Sequence, residues 1–236
     1  MTAALGVPRT VEGFLRAGPQ DFHEWVTRHQ LRLMAFCVVS IVMGAGSYGL
    51  VIGSWRDSWQ ACYTGIKLPL AILLTTAGNG LLNGMLAPLL GLNVSFRQSL
   101  SAVLVSFGIA SIVLGALSPV AWFIIWNTPP LTLRTSWVSP EYGFLQLMLT
   151  VFVALAGTIG NVRLLPLLRQ WAGNRAVARN VLLAWLAGNL FLGSQICWVL
   201  RPFIWDARRP VEFIGPDGWH GSFFETLFQA AWRLMT

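Results

Sequence analysis

Five long apolar stretches, joined by short polar connections, constrain this chain more than any other feature, because none of its nine carboxylates falls inside them. The stretches occupy residues 33–54, 68–92, 99–126, 142–160 and 181–200. Each approaches or exceeds the roughly 20 apolar residues that a helix needs to cross a hydrocarbon core of about 30 Å. The chain has 236 residues, 55% of them hydrophobic and 11% charged. One soluble core cannot hide that much apolar surface, so lipid is expected to take the excess. Inside a bilayer the backbone must satisfy its own hydrogen bonds, which leaves helices or closed barrels. These runs are too long and too uniformly apolar for the alternating strands of a barrel.

The expected fold class is therefore all-α: a polytopic integral membrane protein, a bundle of five transmembrane helices with flanking interfacial amphipathic helices. It divides into an N-terminal segment (1–32), a five-helix domain (33–200) and a C-terminal tail (201–236). The formal charge of +7 would point to nucleic acid in a soluble protein. Here the basic residues cluster at the ends of spans, where they act as topology signals and contacts to lipid headgroups. No nucleic-acid partner is expected. The charges spread through residues 1–30, from Arg9 to Arg28, leave no short apolar region followed by a cleavage site, so no cleaved signal peptide is expected.

The connection between spans four and five carries Arg163, Arg169, Arg175 and Arg179 and no acid, which assigns it to the cytoplasm. Arg9, Arg16, Arg28 and Arg32 precede span one, and four crossings put the two segments on one side. The external loops then contribute only Arg56, Lys67 and Arg134, while the C-terminal tail would place Arg201, Arg208, Arg209 and Arg233 outside. The third run, read as one helix kinked at Pro119, would be about 42 Å long at 1.5 Å per residue. Trp55, Trp59, Trp122, Trp126, Trp137, Trp198 and Trp205 all map to the external end, as an aromatic belt at headgroup level requires. Phe22, Trp25 and Val26 recur at helical spacing before span one, and Phe223, Phe224, Leu227, Phe228, Ala231 and Trp232 do so near the C-terminus. Both read as amphipathic helices lying on the membrane surface. Between Arg201 and His220, Pro202, Pro210, Gly215, Pro216 and Gly218 break any continuous helix.

Span two is the most polar of the five. Thr75, Thr76, Asn79 and Asn83 gather on one helical face, and amides facing lipid would go unsatisfied. In span five Asn189 lies at a depth similar to Asn79, with Gln195 nearer the outside, so the two asparagines are expected to approach one another, directly or through a water, and lock span two against span five. This face is either helix glue or the wall of a solute path. Small residues form packing seams in two other spans: Gly49 and Gly53 in span one, and Gly108, Ser111 and Gly115 in span three. Such seams allow close backbone approach, within the monomer or in a dimer.

Catalytic constellations are missing from the apolar runs. His23, His29 and His220 all lie outside them, which leaves Ser47 without a base. No zinc, phosphate-loop or haem motif is present, and no cofactor is expected. Cys37, Cys62 and Cys197 lack metal-ligand spacing and act as small apolar fillers. Counting Lys67 as a loop residue, the spans hold no ionisable group of the kind proton-coupled transport uses. An external lipid or envelope-precursor enzyme would need Asp206, Glu212 and His220 to converge beside Arg201. Arg201 itself is expected to anchor span five at the outer headgroups.

The segment Ser194-Gln195-Ile196-Cys197-Trp198-Val199-Leu200-Arg201-Pro202-Phe203, with Lys67-Leu68-Pro69, resembles an uncharacterised group of bacterial multi-span membrane proteins. The five-span layout is also similar in topology to the Yip family of trafficking-associated membrane proteins. Neither resemblance implies an activity, a cofactor or a site residue. The expectation is a non-enzymatic protein of the bacterial inner membrane, N-terminus cytoplasmic and C-terminus external, serving as scaffold or subunit of a membrane complex. Its partners would be membrane lipids and either another membrane protein or further copies of itself. The alternative is a permease or channel component for a neutral solute or lipid, with the span-two polar face lining the path.

Overall fold

The computed structural model describes residue 8 and residues 10–129, 140–204, 210–215 and 218–225. Regular secondary structure among the described residues is entirely helical: α1 (Val11–Arg16), α2 (Pro19–Arg28), α3 (Gln30–Ser54), α4 (Ser58–Leu89), α5 (Phe96–Asn127), α6 (Pro140–Ala172) and α7 (Arg175–Leu200). Helices α3 to α7 are long and apolar enough to cross a membrane.

Local chemistry sets their ends, and it moves several boundaries away from the apolar runs. The Asp57 carboxylate accepts from the Trp59 amide at 2.9 Å. This cap starts α4 ten residues before the apolar run at 68. At the start of α5, Ser95 and Gln98 form a reciprocal capping box. The expected Arg-rich loop contracts to a turn. Arg163 and Arg169 lie on α6, Arg175 and Arg179 on α7. Between them Gly173 takes a left-handed φ of 62°, and its N–H donates to Arg169 O. Asn174 then caps α7 by accepting from the Ala176 amide at 2.8 Å. The run at 99–126 is one helix passing through Pro119.

Helix α5 lies at the centre, packed against α3, α4 and α6; α3 also packs on α4, and α7 bridges α4 and α6. The close contacts follow the glycine seams. A methyl group on Gly49 would sit 2.5 Å from Thr64 O, and one on Gly53 would sit 2.5 Å from Gln60 O, so α3 and α4 touch backbone to backbone. Gly44 meets the Ser111 carbonyl and Gly115 meets Gly44, joining α3 to α5, while Gly108 faces Cys37. The seams expected from the sequence pack inside one chain. On α6, Gly160 makes a comparable approach to Ser106 of α5.

The two ends of the bundle differ. At one end α3 and α5 begin, α6 ends, and α1 and α2 cover them. The apolar face of α2, expected to lie on lipid, is buried in protein: Phe22, Trp25 and Val26, with Phe14 of α1, join a core that includes Leu33, Cys37, Ile109 and Leu167. An amphipathic pattern specifies a burial face without specifying what covers it. Here α6 supplies the tether, with Trp171 Nε1 donating to His23 Nδ1 at 2.9 Å and Arg163 donating to Leu15 O at 2.6 Å. At the opposite end Trp59, Trp122 and Trp126 are exposed. Trp55 is instead buried and donates to Pro129 O at 3.0 Å. Trp137, Trp205 and residues 227–232 of the expected C-terminal amphipathic helix lie outside the described residues.

Candidate functional site

The polar face of α4 is longer than the span-two stripe. Gln60, Thr64, Lys67, Thr75, Asn79 and Asn83 recur every three or four residues, with Ala71 filling the one gap, and all six polar side chains are buried. From Gln60 to Asn83 this column runs about 34 Å at 1.5 Å per residue. It spans most of the bundle, against the C-terminal tail at one end and α7 along the rest.

At the tail end the chain leaves α7 and crosses over α4. Gln60 Nε2 lies within hydrogen-bond distance of Pro202 O, Phe203 O and Thr64 Oγ1, and Thr64 Oγ1 donates to Phe203 O at 2.8 Å. Lys67 Nζ donates to Pro202 O at 2.7 Å and lies 5.2 Å from the centre of the Phe213 ring. Lys67 is the one charged side chain among the described residues to be buried. This overturns the expectation that Lys67 sits in an external loop. The reason is tertiary: carbonyls more than 130 residues away in sequence solvate the polar side chains of α4's first turns. Such solvation offsets part of the cost of burying an ammonium group without a carboxylate.

Further along, the two asparagines meet as the sequence suggested, Asn79 Nδ2 donating to Asn189 Oδ1. The same amide nitrogen lies 3.3 Å from Trp185 O. Gly188 makes this approach possible, since a methyl group there would collide with the Asn79 side chain. Thr75 faces Gly193 across the interface, and its hydroxyl donates to Ala71 O of its own helix. Thr76 likewise donates to Ile72 O. Gln195 is not part of the column. Its Oε1 accepts from the Phe223 amide at 3.3 Å, and with Phe224 stacked on Phe191 this folds the tail back along α7. Asn83 is fully buried, and neither of its amide atoms has a hydrogen-bond partner among the described residues.

Arg201, expected to reach for headgroups, turns back onto its own helix. It donates to Trp198 O at 2.8 Å, and its guanidinium carbon lies 3.6 Å from the Trp198 ring centre. It closes the C-terminus of α7, where a cation is favourable. Of the residues proposed for an external enzyme site, Asp206 lies outside the described residues. His220 enters through its backbone, its carbonyl accepting from Trp198 Nε1. Among the described residues no group of three His, Cys, Asp or Glu side chains could hold a metal ion.

The sequence reading missed Gln60, Thr64 and Lys67, although their helical spacing continues the Thr75–Asn83 face backwards. Comparison with protein-family models, with curated proteins and with solved structures finds no match to this chain.

Proposed function

We propose that this chain is a multi-pass protein of the bacterial inner membrane that catalyses no reaction and serves as a scaffold or subunit of a larger membrane complex. In this reading the α1–α2 end faces the cytoplasm and the tail end faces outward, as the arginine distribution favours. The observation that carries it is an imbalance of burial. Of the most apolar stretch of each helix, 61% is buried in α5 but only 22% in α6 and 11% in α7. The polar column of α4 is meanwhile closed by the chain's own α7 and tail.

Helix α6 also presents a small and polar face that the other helices leave open. Gly143, Gln146, Thr150, Ala154 and Gly157 recur at three- and four-residue steps and are exposed or half-buried. Methyl groups on Gly143 and Gly157 would meet nothing within 4 Å. Faces of this kind suit close packing of a further helix. An exposed Gln146 amide gains more from a protein partner than from lipid. The test is a photo-crosslinking phenylalanine analogue placed at Ala154 in native membranes, with Met43 on the exposed side of α3 as control. A discrete protein adduct, hetero- or homo-oligomeric, at Ala154 and not at Met43 is expected. Lipid adducts alone at both positions would overturn the reading.

A permease for a neutral solute is the second reading, favoured by the length of the α4 column and by the unpaired amide of Asn83. Solute flux in proteoliposomes that Asn79→Leu abolishes would move the assignment there.

A further inference from the structure

Buried polar atoms without partners concentrate at one level of the bundle. Asn79 Oδ1, both amide atoms of Asn83, and Trp185 Nε1 have no hydrogen-bond partner among the described residues. Asn79 and Asn83 are fully buried and Trp185 is 1% exposed. The antiparallel register of α4 and α7 brings these groups together. It pairs Thr75 with Gly193, Asn79 with Gly188 and Gly91 with Val177, and so sets Asn83 level with Trp185. Side chains tilt toward the N-terminus of their helix. By that tilt the Asn83 amide leans toward Asn79 and the Trp185 carbonyl that Asn79 holds, while the Trp185 indole leans toward the N-terminus of α7, so the three groups lie within about a turn of one another along the bundle. Ser99 Oγ on α5 is also buried and unpaired, and the contacts of Gly84 with Phe96 and Gly80 with Leu100 put it within about a turn of the same level.

These atoms call for a guest of defined chemistry. Two carbonyl oxygens accept, an amide NH2 and an indole N–H donate, and the serine hydroxyl does either. A guest must therefore both donate and accept. It must also be neutral, because no charged side chain stands among these groups, and Lys67 lies about 18 Å from Asn79 and about 24 Å from Asn83 along α4. Apolar cavities stay dry, whereas closed polar sites with two to four partners hold water. We propose that Asn79, Asn83 and Trp185 form a closed internal hydration site between α4 and α7, binding one or a few water molecules as an integral part of the interface. The water bridges the Asn83 amide to α7 as the direct Asn79–Asn189 bond does one turn away. This site does not depend on the subunit reading.

Radiolytic footprinting of the intact protein in detergent, after rapid mixing into heavy-oxygen water, tests the site. Hydroxyl radicals formed from a trapped water oxidise the nearest reactive side chain. Trp185 is expected to be oxidised despite its burial and to incorporate light oxygen after the mix. Exposed Trp59 incorporates heavy oxygen at once. Asn83→Leu is expected to abolish oxidation at Trp185 and leave that at Trp59 unchanged. Three results would each overturn the proposal: no oxidation of Trp185 in the wild type, heavy-oxygen uptake as fast as at Trp59, or oxidation of Trp185 that survives Asn83→Leu. The first means a dry interface, the second a path open to bulk solvent, and the third a water held elsewhere. Should Asn83→Leu fail to fold, the wild-type oxygen lag decides alone.

Discussion

Adding one methyl group at Gly49 and the same methyl group at Gly157 should change stability in opposite directions. At Gly49 the new Cβ would stand 2.5 Å from Thr64 O, 2.9 Å from Thr64 C and 3.1 Å from Gly65 Cα. All three are backbone atoms, which cannot rotate aside, so α3 and α4 must separate by roughly 1 Å to restore van der Waals distance. Overpacking of this kind costs about 1–3 kcal/mol. The higher helix propensity of alanine returns about 0.8–1.0 kcal/mol. Because only backbone meets the new atom, the cost falls in the upper part of that range, about 2–3 kcal/mol, and Gly49→Ala should lose about 1–2 kcal/mol net. At Gly157 nothing lies within 4 Å of the new atom, and only the propensity gain of at most about 1 kcal/mol remains. Unfolding in mixed micelles with increasing SDS, followed by tryptophan fluorescence, measures both. Adding Gly53→Ala to Gly49→Ala should cost less than it does alone, because the first methyl already moves α4 away from Gln60. A Gly49→Ala protein as stable as the wild type would refute the close α3–α4 contact and, with it, the placement of Gln60 and Thr64 beneath the tail.

Other consequences are smaller in scope. Leucine at Asn79, at Asn189 and at both should show a coupling of about 0.6–1.7 kcal/mol in the same unfolding assay, and none if the amides do not meet. Arg201→Leu removes the cap on Trp198 O and the contact with its ring, a loss of about 1 kcal/mol. It should also make residues 210–225 more sensitive to added protease, and unchanged digestion would show that the tail is held without Arg201. In the proposed orientation a membrane-impermeant maleimide added to intact spheroplasts should label exposed Cys62 and spare buried Cys37. Labelling of Cys62 only after lysis would reverse the topology.

Much of the scaffold was legible before any tertiary contact was known. Transfer of apolar side chains out of water is additive along a segment, so five helices follow from hydropathy alone, and α5 departs from its apolar run by only a few residues at either end. The glycine spacing in α3 and α5 and the polar face of span two were visible for a similar local reason: helical periodicity collects residues three and four apart on one side. What hydropathy cannot report is who answers a polar or amphipathic face. Gln60, Thr64 and Lys67 read as loop because their solvation comes from the carbonyls of Pro202 and Phe203, far along the chain. The α2 face read as lipid-bound because burial against α6 and burial in a bilayer demand the same pattern. Gly188 on α7 carried no signal until Asn79 stood opposite it. Segment by segment, sequence determined which stretches must leave water. Only the tertiary structure decided which partner each face found, because a partner is a property of two segments and its choice rests on pairwise geometry that neither segment encodes alone.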